Sequence, residues 1–508
     1  MNKRYFLSSI MLLLLSVCAS AKGRPIVVVY ENDVHCAIDR YAVFAGFRDA
    51  IVAADTADVL TVSSGDFIQG GFAGAISKGE YIIDMMKAVG YDAVTLGNHE
   101  FDYGSEKTRS LMERLGAPVT CVNYTKAGST EPVFLPYVMK RVGEKRVAFV
   151  GALTPGTIAT ESYAFDGYDT NESRTVEMVQ KAVDDARREG ADYVVVLSHL
   201  GEDVSQHTQV TSHSVAEATR GIDVVLDGHS HNAIPQFWTK NIDGDSVLIT
   251  QTGSLFRNIG KLVLREGKRP FTELCNISKV TNVSQKVKAA EDSIRQYITA
   301  KEREMIGHSD FTLVVSEGDR DIIRCRETNF GDFVTDAMRY VGKTDVAVCN
   351  AGGIRNSIVA GDITYKSVID ALPYSNDICT AEISGEMLLK ALNNACAVLP
   401  VESGGFMQVS GMRYTVEGNK VVDVQIERED ADGNVTLEPL SPTGKYTITS
   451  SDYVLYLGRE SEAFHNATIV NDKICPYSEP VITYLRDALG GVVPEKYNRP
   501  QGRIIIKK

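Results

Sequence analysis

Five apolar, largely β-branched runs punctuate the first half of the chain, at Ile26–Tyr30, Val59–Val62, Val94–Leu96, Tyr193–Leu197 and Ile222–Leu226. Runs that are apolar at almost every position, rather than at every second one, predict strands buried on both faces of an α/β sheet. Val247–Thr250 and Lys261–Leu264 predict later strands of the same unit. The pattern changes from 283 to 305. There Val283, Val287, Ala290, Ile294 and Ile298 recur at helical spacing in a charged stretch without Gly or Pro, which predicts a connecting helix. A second α/β unit follows, with a strand-like Asp345–Cys349 and turn-rich loops at Pro400–Gly405 and Glu429–Asn434. The predicted organisation is a first unit over 22–282, a linker helix over 283–305 and a second unit over 306–508.

The N-terminal 21 residues read differently. Lys3 and Arg4 precede an apolar stretch from Tyr5 to Val17, and Ala19-Ser20-Ala21 supplies small residues at cleavage spacing. This predicts a secretory signal peptide over 1–21, because the apolar run is too short for a membrane span. The expected location is periplasmic or extracellular. Lipid anchoring through Cys18 is the alternative. No later segment is apolar enough to cross a bilayer. With 44% hydrophobic and 23% charged residues, the chain has a soluble globular composition. Its formal charge of −13 argues against a nucleic-acid partner, which needs a cationic surface. The nine cysteines form no CxxC pair, and export permits bridges among them as readily as free thiols.

Short polar motifs follow most of the strand-like runs directly: Asn32-Asp33-Val34-His35, Gly65-Asp66, Gly97-Asn98-His99-Glu100, Ser198-His199 and Gly228-His229-Ser230-His231. Ligands of α/β sheets collect at the carboxyl ends of strands, so these side chains converge on one site. Asp, His and Asn are ligands of a borderline divalent metal, and there are too many for one tetrahedral ion. Two ions sharing one carboxylate is the economical reading, and Asp66 is the natural bridge. Paired metals clamp the attacking and leaving oxygens of a phosphoryl transfer. Asp33 and His35, like His229 and His231, lie two apart. In extended chain both members of each pair would face one ion. Singly, each residue has a plainer reading as a turn or core residue, and the shared position at strand ends tips the balance. His99 adjoins Asn98 and so points elsewhere. With Asp102 three residues on, it suits an oriented proton donor or cation beside the metals, against the alternative that Asp102 caps a helix.

The strings Asn32-Asp33-Val34-His35 and Gly97-Asn98-His99-Glu100-Phe101-Asp102-Tyr103-Gly104 resemble the 5′-nucleotidase family, whose catalytic half is a calcineurin-like metallophosphoesterase. The resemblance covers nearly all of the chain after the signal segment. It implies a four-layer α/β/β/α catalytic domain joined to a C-terminal α/β substrate-binding domain. By motif position, Asp33, His35, Asp66 and His231 would hold one divalent ion, and Asp66, Asn98, His199 and His229 the other. Zn, Mn, Co and Fe all suit such a set. His99 and Asp102 match the catalytic pair.

In the second half, Asn350-Ala351-Gly352-Gly353-Ile354-Arg355 follows a strand. Its glycines permit close approach to a ligand and Arg355 offers a fork for phosphate. Arg324 resembles the family's anion-binding arginine. Phe406, in Gly404-Gly405-Phe406-Met407-Gln408, and Tyr453, in Ser451-Asp452-Tyr453, match the aromatics that hold a nucleobase in the family. One departure stands out: where relatives carry a ribose-binding Asp after the second aromatic, this chain has Arg459 in Leu457-Gly458-Arg459-Glu460. Either Glu460 or Glu462 replaces the acceptor, or Arg459 meets a substrate with extra negative charge. The leading substrate is a nucleoside 5′-monophosphate. UDP-sugars, 2′,3′-cyclic nucleotides and dinucleotides are the enzymatic alternatives. A nucleotide-binding surface protein with a vestigial metal site is the alternative of another class.

Overall fold

The computed structural model describes residues 23–507 apart from 161–164, 166, 203, 205–207, 375 and 430–433, so the predicted signal segment and Cys18 lie outside the described residues. Strand Ile26–Glu31 is central to the first unit. It pairs in parallel with Asp58–Ser63 and antiparallel with Asn258–Leu264, in a five-stranded sheet of order Phe271–Asn276, Asn258–Leu264, Ile26–Glu31, Asp58–Ser63, Ala93–Val94. A second sheet of six strands has Lys145–Leu153, Tyr193–His199, Val224–Leu226 and Ser246–Thr252 in parallel at its middle.

The near-continuous apolar runs have a simple explanation: successive side chains go to opposite faces, and both faces are covered. Ile26, Val28 and Tyr30 meet Val195, Leu197, Val224 and Leu226 of the other sheet in a core between the sheets. Val27 and Val29 face outward, into a core built with helices Tyr41–Ala53, Glu80–Val89 and Ser105–Leu115. On the far side, Val194, Val196 and Val225 pack under helices Thr175–Arg188 and Ser212–Ala218. Three cores between four layers make the α/β/β/α sandwich that the motifs implied. The Tyr30 hydroxyl crosses between the sheets to Thr250 Oγ1 at 2.7 Å.

The linker helix spans Gln285–Glu302, two residues short of its predicted start, because Ser284 is its N-cap. Val287 is fully buried, and Ala290, Ile294 and Ile298 pack on the same core as helices Tyr41–Ala53 and Glu80–Val89. The helix therefore belongs to the outer layer of the first unit. Strand Met305–Ser309 begins the second unit, which holds one core, a five-stranded and a four-stranded sheet, and helices Asn329–Gly342 and Gly385–Cys396. The units touch where Phe72, in helix Gly71–Ser77, meets the edge of Tyr365 with ring centroids 6.1 Å apart. The eight cysteines among the described residues are all free thiols, and no described helix is long and apolar enough to cross a membrane.

Candidate active site

The five parallel strand ends deliver the seven expected ligands to one edge of the sandwich. Asp33, His35, Asp66 and His231 place one ligand atom each within 4.8 Å of one another. His231 Nε2 lies 3.3 Å from Asp33 Oδ1 and 3.0 Å from His35 Nε2. His199 Nε2 lies 3.1 Å from Asp66 Oδ2, and His229 Nδ1 lies 2.9 Å from Asn98 Oδ1.

The backbone that carries them is not the extended chain expected from the spacing. Asp33, His35, Asp66, His229 and His231 all have left-handed φ, at 51°, 44°, 58°, 77° and 57°. Such angles cost a non-glycine residue energy and persist where surrounding structure imposes them. At Asp33, His35 and Asp66 two loops impose them on each other. Asp33 N donates to Gly65 O, His35 N to Asp66 O and Cys36 N to Phe67 O, at 3.0–3.1 Å. Five of the seven expected ligands thus sit at bends, while Asn98 opens a 3-10 turn and His199 ends a strand.

Supporting residues the sequence reading left without a role lie just beneath. Glu100 is fully buried and accepts from the backbone N–H of Asp66, Phe67, Ile68 and Gly97. Burial, then Asp66, push its pKa up to about 7. Its reach back to Gly97 follows the capping-box spacing, which is the signal that marks it in the sequence. Asn32 donates to Asp33 Oδ2 and accepts from Thr252, holding the other side. Asp227 accepts from Gly201 N and from the Ser212 hydroxyl. At Gly97 a Cβ would fall 2.1 Å from Asp66 Oδ1, so only glycine lets Asp66 lie where it does.

Whether these residues suit a metal is tested by His199. Its Nδ1 lies 2.7 Å from the carbonyl of Ser64, to which it must donate, leaving the lone pair of the neutral ring on Nε2. That Nε2 is buried with no hydrogen-bond partner, facing Asp66. Burial disfavours charge on His199, yet Asp66 and Asp33 outweigh it and raise its pKa. Burial likewise opposes ionisation of Asp66, but His199, His99 and His35 hold it well below the usual range. In the neutral ring the Nε2 lone pair and the Asp66 carboxylate face each other, a donor set that a divalent ion fits. Desolvation, then His199, push His229 down to about 4, which keeps its ring a neutral ligand.

His99 stands beside this cluster, its ring edge-on to His35 with centroids 5.4 Å apart, and is paired with Asp102. Its Nδ1 lies 3.1 Å from Asp102 Oδ1, across the 3-10 turn Asn98–Phe101. Helix Ser105–Leu115 has Gly104 at its N-cap, so Asp102 is not the cap.

The second unit contributes a cavity of about 400 Å³. Arg324, Asn350, Gly352, Gly353, Arg355 and Tyr453 line it as expected. Two expected residues do not. Phe406 is fully buried in the core, because Gly404 and Phe406 are paired through their backbones with Gly352 and Ala351 and the ring turns inward ahead of strand Met407–Ser410. Arg459 is exposed, on a turn closed by Ser461 N to Gly458 O, and it is Glu460 that enters the cavity. The Glu460 carboxyl group lies against Gly405, where a Cβ would meet it at 2.4 Å. Tyr374, Asn376 and Tyr477 also line the cavity, and no sequence motif singled them out. A narrower crevice between the units is lined by Asp102 and Tyr103 from one side and by Tyr365, Tyr374 and Lys473 from the other.

Residues 305–466 match a family model described as 5′-nucleotidase, C-terminal domain, and residues 47–242 match one described as bacterial capsule synthesis protein. The 5′-nucleotidase of Vibrio parahaemolyticus is 28% identical over 445 residues, covering 80% of this chain and 77% of that protein. The trifunctional nucleotide phosphoesterase of Bacillus subtilis is 24% identical over 454 residues. It is matched over 80% of this chain but only 30% of its own length. A 5′-nucleotidase precursor from Thermus thermophilus shares the fold, with a TM-score of 0.58 at 24% identity over 95% of this chain and 99% of that one.

Proposed function

We propose that this chain, a phosphoric ester hydrolase of the 5′-nucleotidase family, uses two divalent metal ions outside the cytoplasm to hydrolyse nucleoside 5′-monophosphates to nucleoside and phosphate. The observation that carries the reading is the buried, unpartnered His199 Nε2 aimed at Asp66, with Asn98 and His229 on one side and Asp33, His35 and His231 on the other. Asp33, His35, Asp66 and His231 would hold one ion, and Asp66, Asn98, His199 and His229 the other. Bound there, the ions supply Lewis-acid charge for the phosphoryl oxygens. His99, oriented by Asp102, holds a proton for the oxygen that leaves with the nucleoside. Arg324 and Arg355 face the cavity as anion-binding forks. Support for nucleotides over other esters comes from the aromatic and amide groups of that cavity. The 28%-identical relative is itself named a 5′-nucleotidase.

A panel of nucleoside monophosphates, UDP-sugars, cyclic nucleotides and dinucleotides, each assayed with Zn, Mn, Co and Fe, tests the reading. Nucleoside 5′-monophosphates should be turned over fastest, and elemental analysis should approach two metals per chain. Full activity in metal-free protein, or faster turnover of another class, sinks it.

A further inference from the structure

We infer that Gln251, the residue before last in strand Ser246–Thr252, is a positioning residue for the metal centre: its buried carboxamide sets the loop that carries His229 and His231. The inference rests on the two-metal reading above. Gln251 is outside the expected ligand set, and no sequence motif marks it. Strand Ser246–Thr252 runs parallel to Val224–Leu226, with Thr250 opposite Leu226, so Gln251 stands level with the start of the loop. Its side chain is completely buried. Nε2 donates to Gly228 O at 3.1 Å and to Ser230 Oγ at 2.9 Å, while Oε1 accepts from Asn232 N at 2.7 Å. Gly228 O and Asn232 N are backbone groups that flank the two histidines, one an acceptor and one a donor. A carboxamide offers both partners side by side; a carboxylate or a thioether does not.

The loop needs such a hold. His229 and His231 both have left-handed φ, and each is expected to serve a different ion. His229 N also donates to the Asp33 carboxylate at 3.1 Å, but that acceptor is itself an expected ligand. Gln251 bonds to the backbone on either side of the histidines instead of to their rings. Its Nε2 also lies 3.4 Å from Asp227 Oδ2, and Asp227 Oδ1 accepts from Gly201 N, two residues past His199. The supports of His199, His229 and His231 thus meet in one buried network. The next residue supports the other side of the cluster. Thr252 points to the opposite face of the strand, where its N–H and hydroxyl both donate to Asn32 Oδ1, and Asn32 Nδ2 holds Asp33 Oδ2. A strand that supplies no expected ligand therefore carries, in its last two residues, the supports of two ligand loops. Partners of this kind orient metal ligands, and their loss typically weakens metal binding.

The test titrates the metal-stripped full chain with cobalt(II) against a competing chelator and reads the visible absorption of the bound ion. Wild type should take up two ions per chain. Gln251→Met keeps the length of the side chain and removes the amide, so it should weaken cobalt binding by about ten- to a hundredfold and change the shape of the absorption bands. Ser230→Ala removes one branch of the bracket and should weaken binding by about two- to tenfold. Val247→Ala, a core cavity on the same strand, should lower the melting temperature of the metal-free protein and leave cobalt affinity at the wild-type value. A Gln251→Met protein that melts lower but binds cobalt like wild type has lost a structural residue only, which overturns this inference alone. So does a Val247→Ala protein that weakens binding as much as Gln251→Met. If Gln251→Met does not fold, Ser230→Ala decides, and unchanged affinity there overturns the inference. A wild-type protein that binds no cobalt overturns the two-metal reading and this inference with it.

Discussion

His99 meets Asp66 through its backbone, donating N–H to Oδ1 at 2.9 Å, and meets Asp102 through its ring. The two contacts separate its roles. His99→Ala keeps the first and removes the second, so metal content should stay at the wild-type level while kcat falls by about 10²–10³. Asp102→Asn should cost less, since it alters only the orientation of the ring. Elemental analysis beside steady-state rates checks both, and a fall of tenfold or less makes His99 structural. A second residue-scale expectation concerns the sugar. Arg459 points to solvent and Glu460 into the cavity, which favours Glu460 as the acceptor for sugar hydroxyls. Glu460→Ala should raise KM for AMP by about tenfold, the worth of a hydrogen bond to a charged group. A doubly phosphorylated nucleotide that depends on Arg459 instead would reverse that assignment.

At the scale of elements, the strands were legible and the turns between them were not. Ile26–Tyr30 and Tyr193–Leu197 lie within strands Ile26–Glu31 and Tyr193–His199, because burial on both faces leaves an unbroken apolar run. The gathering of Asp33, His35, Asp66 and His231 into one cluster was legible too, from residue type and position at strand ends. Their backbone was not. Two-residue spacing suggested extended chain at Asp33–His35 and His229–His231, whereas all four residues have left-handed φ, imposed at Asp33 and His35 by cross-loop hydrogen bonds to Gly65 and Asp66. Phe406 was misplaced for a similar reason: motif position carries no information on which way a ring turns when its neighbours pair with Ala351 and Gly352. The loop holding Asp66 gives a sharp test of this local geometry. Gly97 has φ −100°, which any residue adopts, so Gly97→Ala adds only a Cβ, 2.1 Å from Asp66 Oδ1. Metal content and turnover should both collapse. A variant that binds metal normally would show that Asp66 has room to shift.

For the whole molecule, the candidate metal cluster belongs to one unit and the cavity lined by Arg324 and Tyr453 to the other, with the Asp102 crevice between them. Product release through that crevice calls for relative rotation of the units. Because helix Gln285–Glu302 is packed on the first unit, the pivot falls just after it, at Arg303 and Glu304. The edge contact of Phe72 with Tyr365 is what such a rotation would break. Small-angle scattering should give different radii of gyration with and without AMP. One unchanging value would argue for a rigid pair.

The left-handed bends have a price in stability that falls on the empty protein. Each such residue costs about 1–3 kcal/mol, and five of them gather at one edge. Metal-free protein therefore holds a loaded spring, and ions that bind the folded chain offset the load by mass action. His231 is the place to see it, since its side chain is 47% exposed and its loss leaves little packing behind. His231→Gly should abolish useful turnover yet melt at a higher temperature than wild type when both are stripped with chelator. The order should reverse when zinc or manganese is restored. A metal-free His231→Gly that melts below wild type would mean that the bends are relaxed and store nothing.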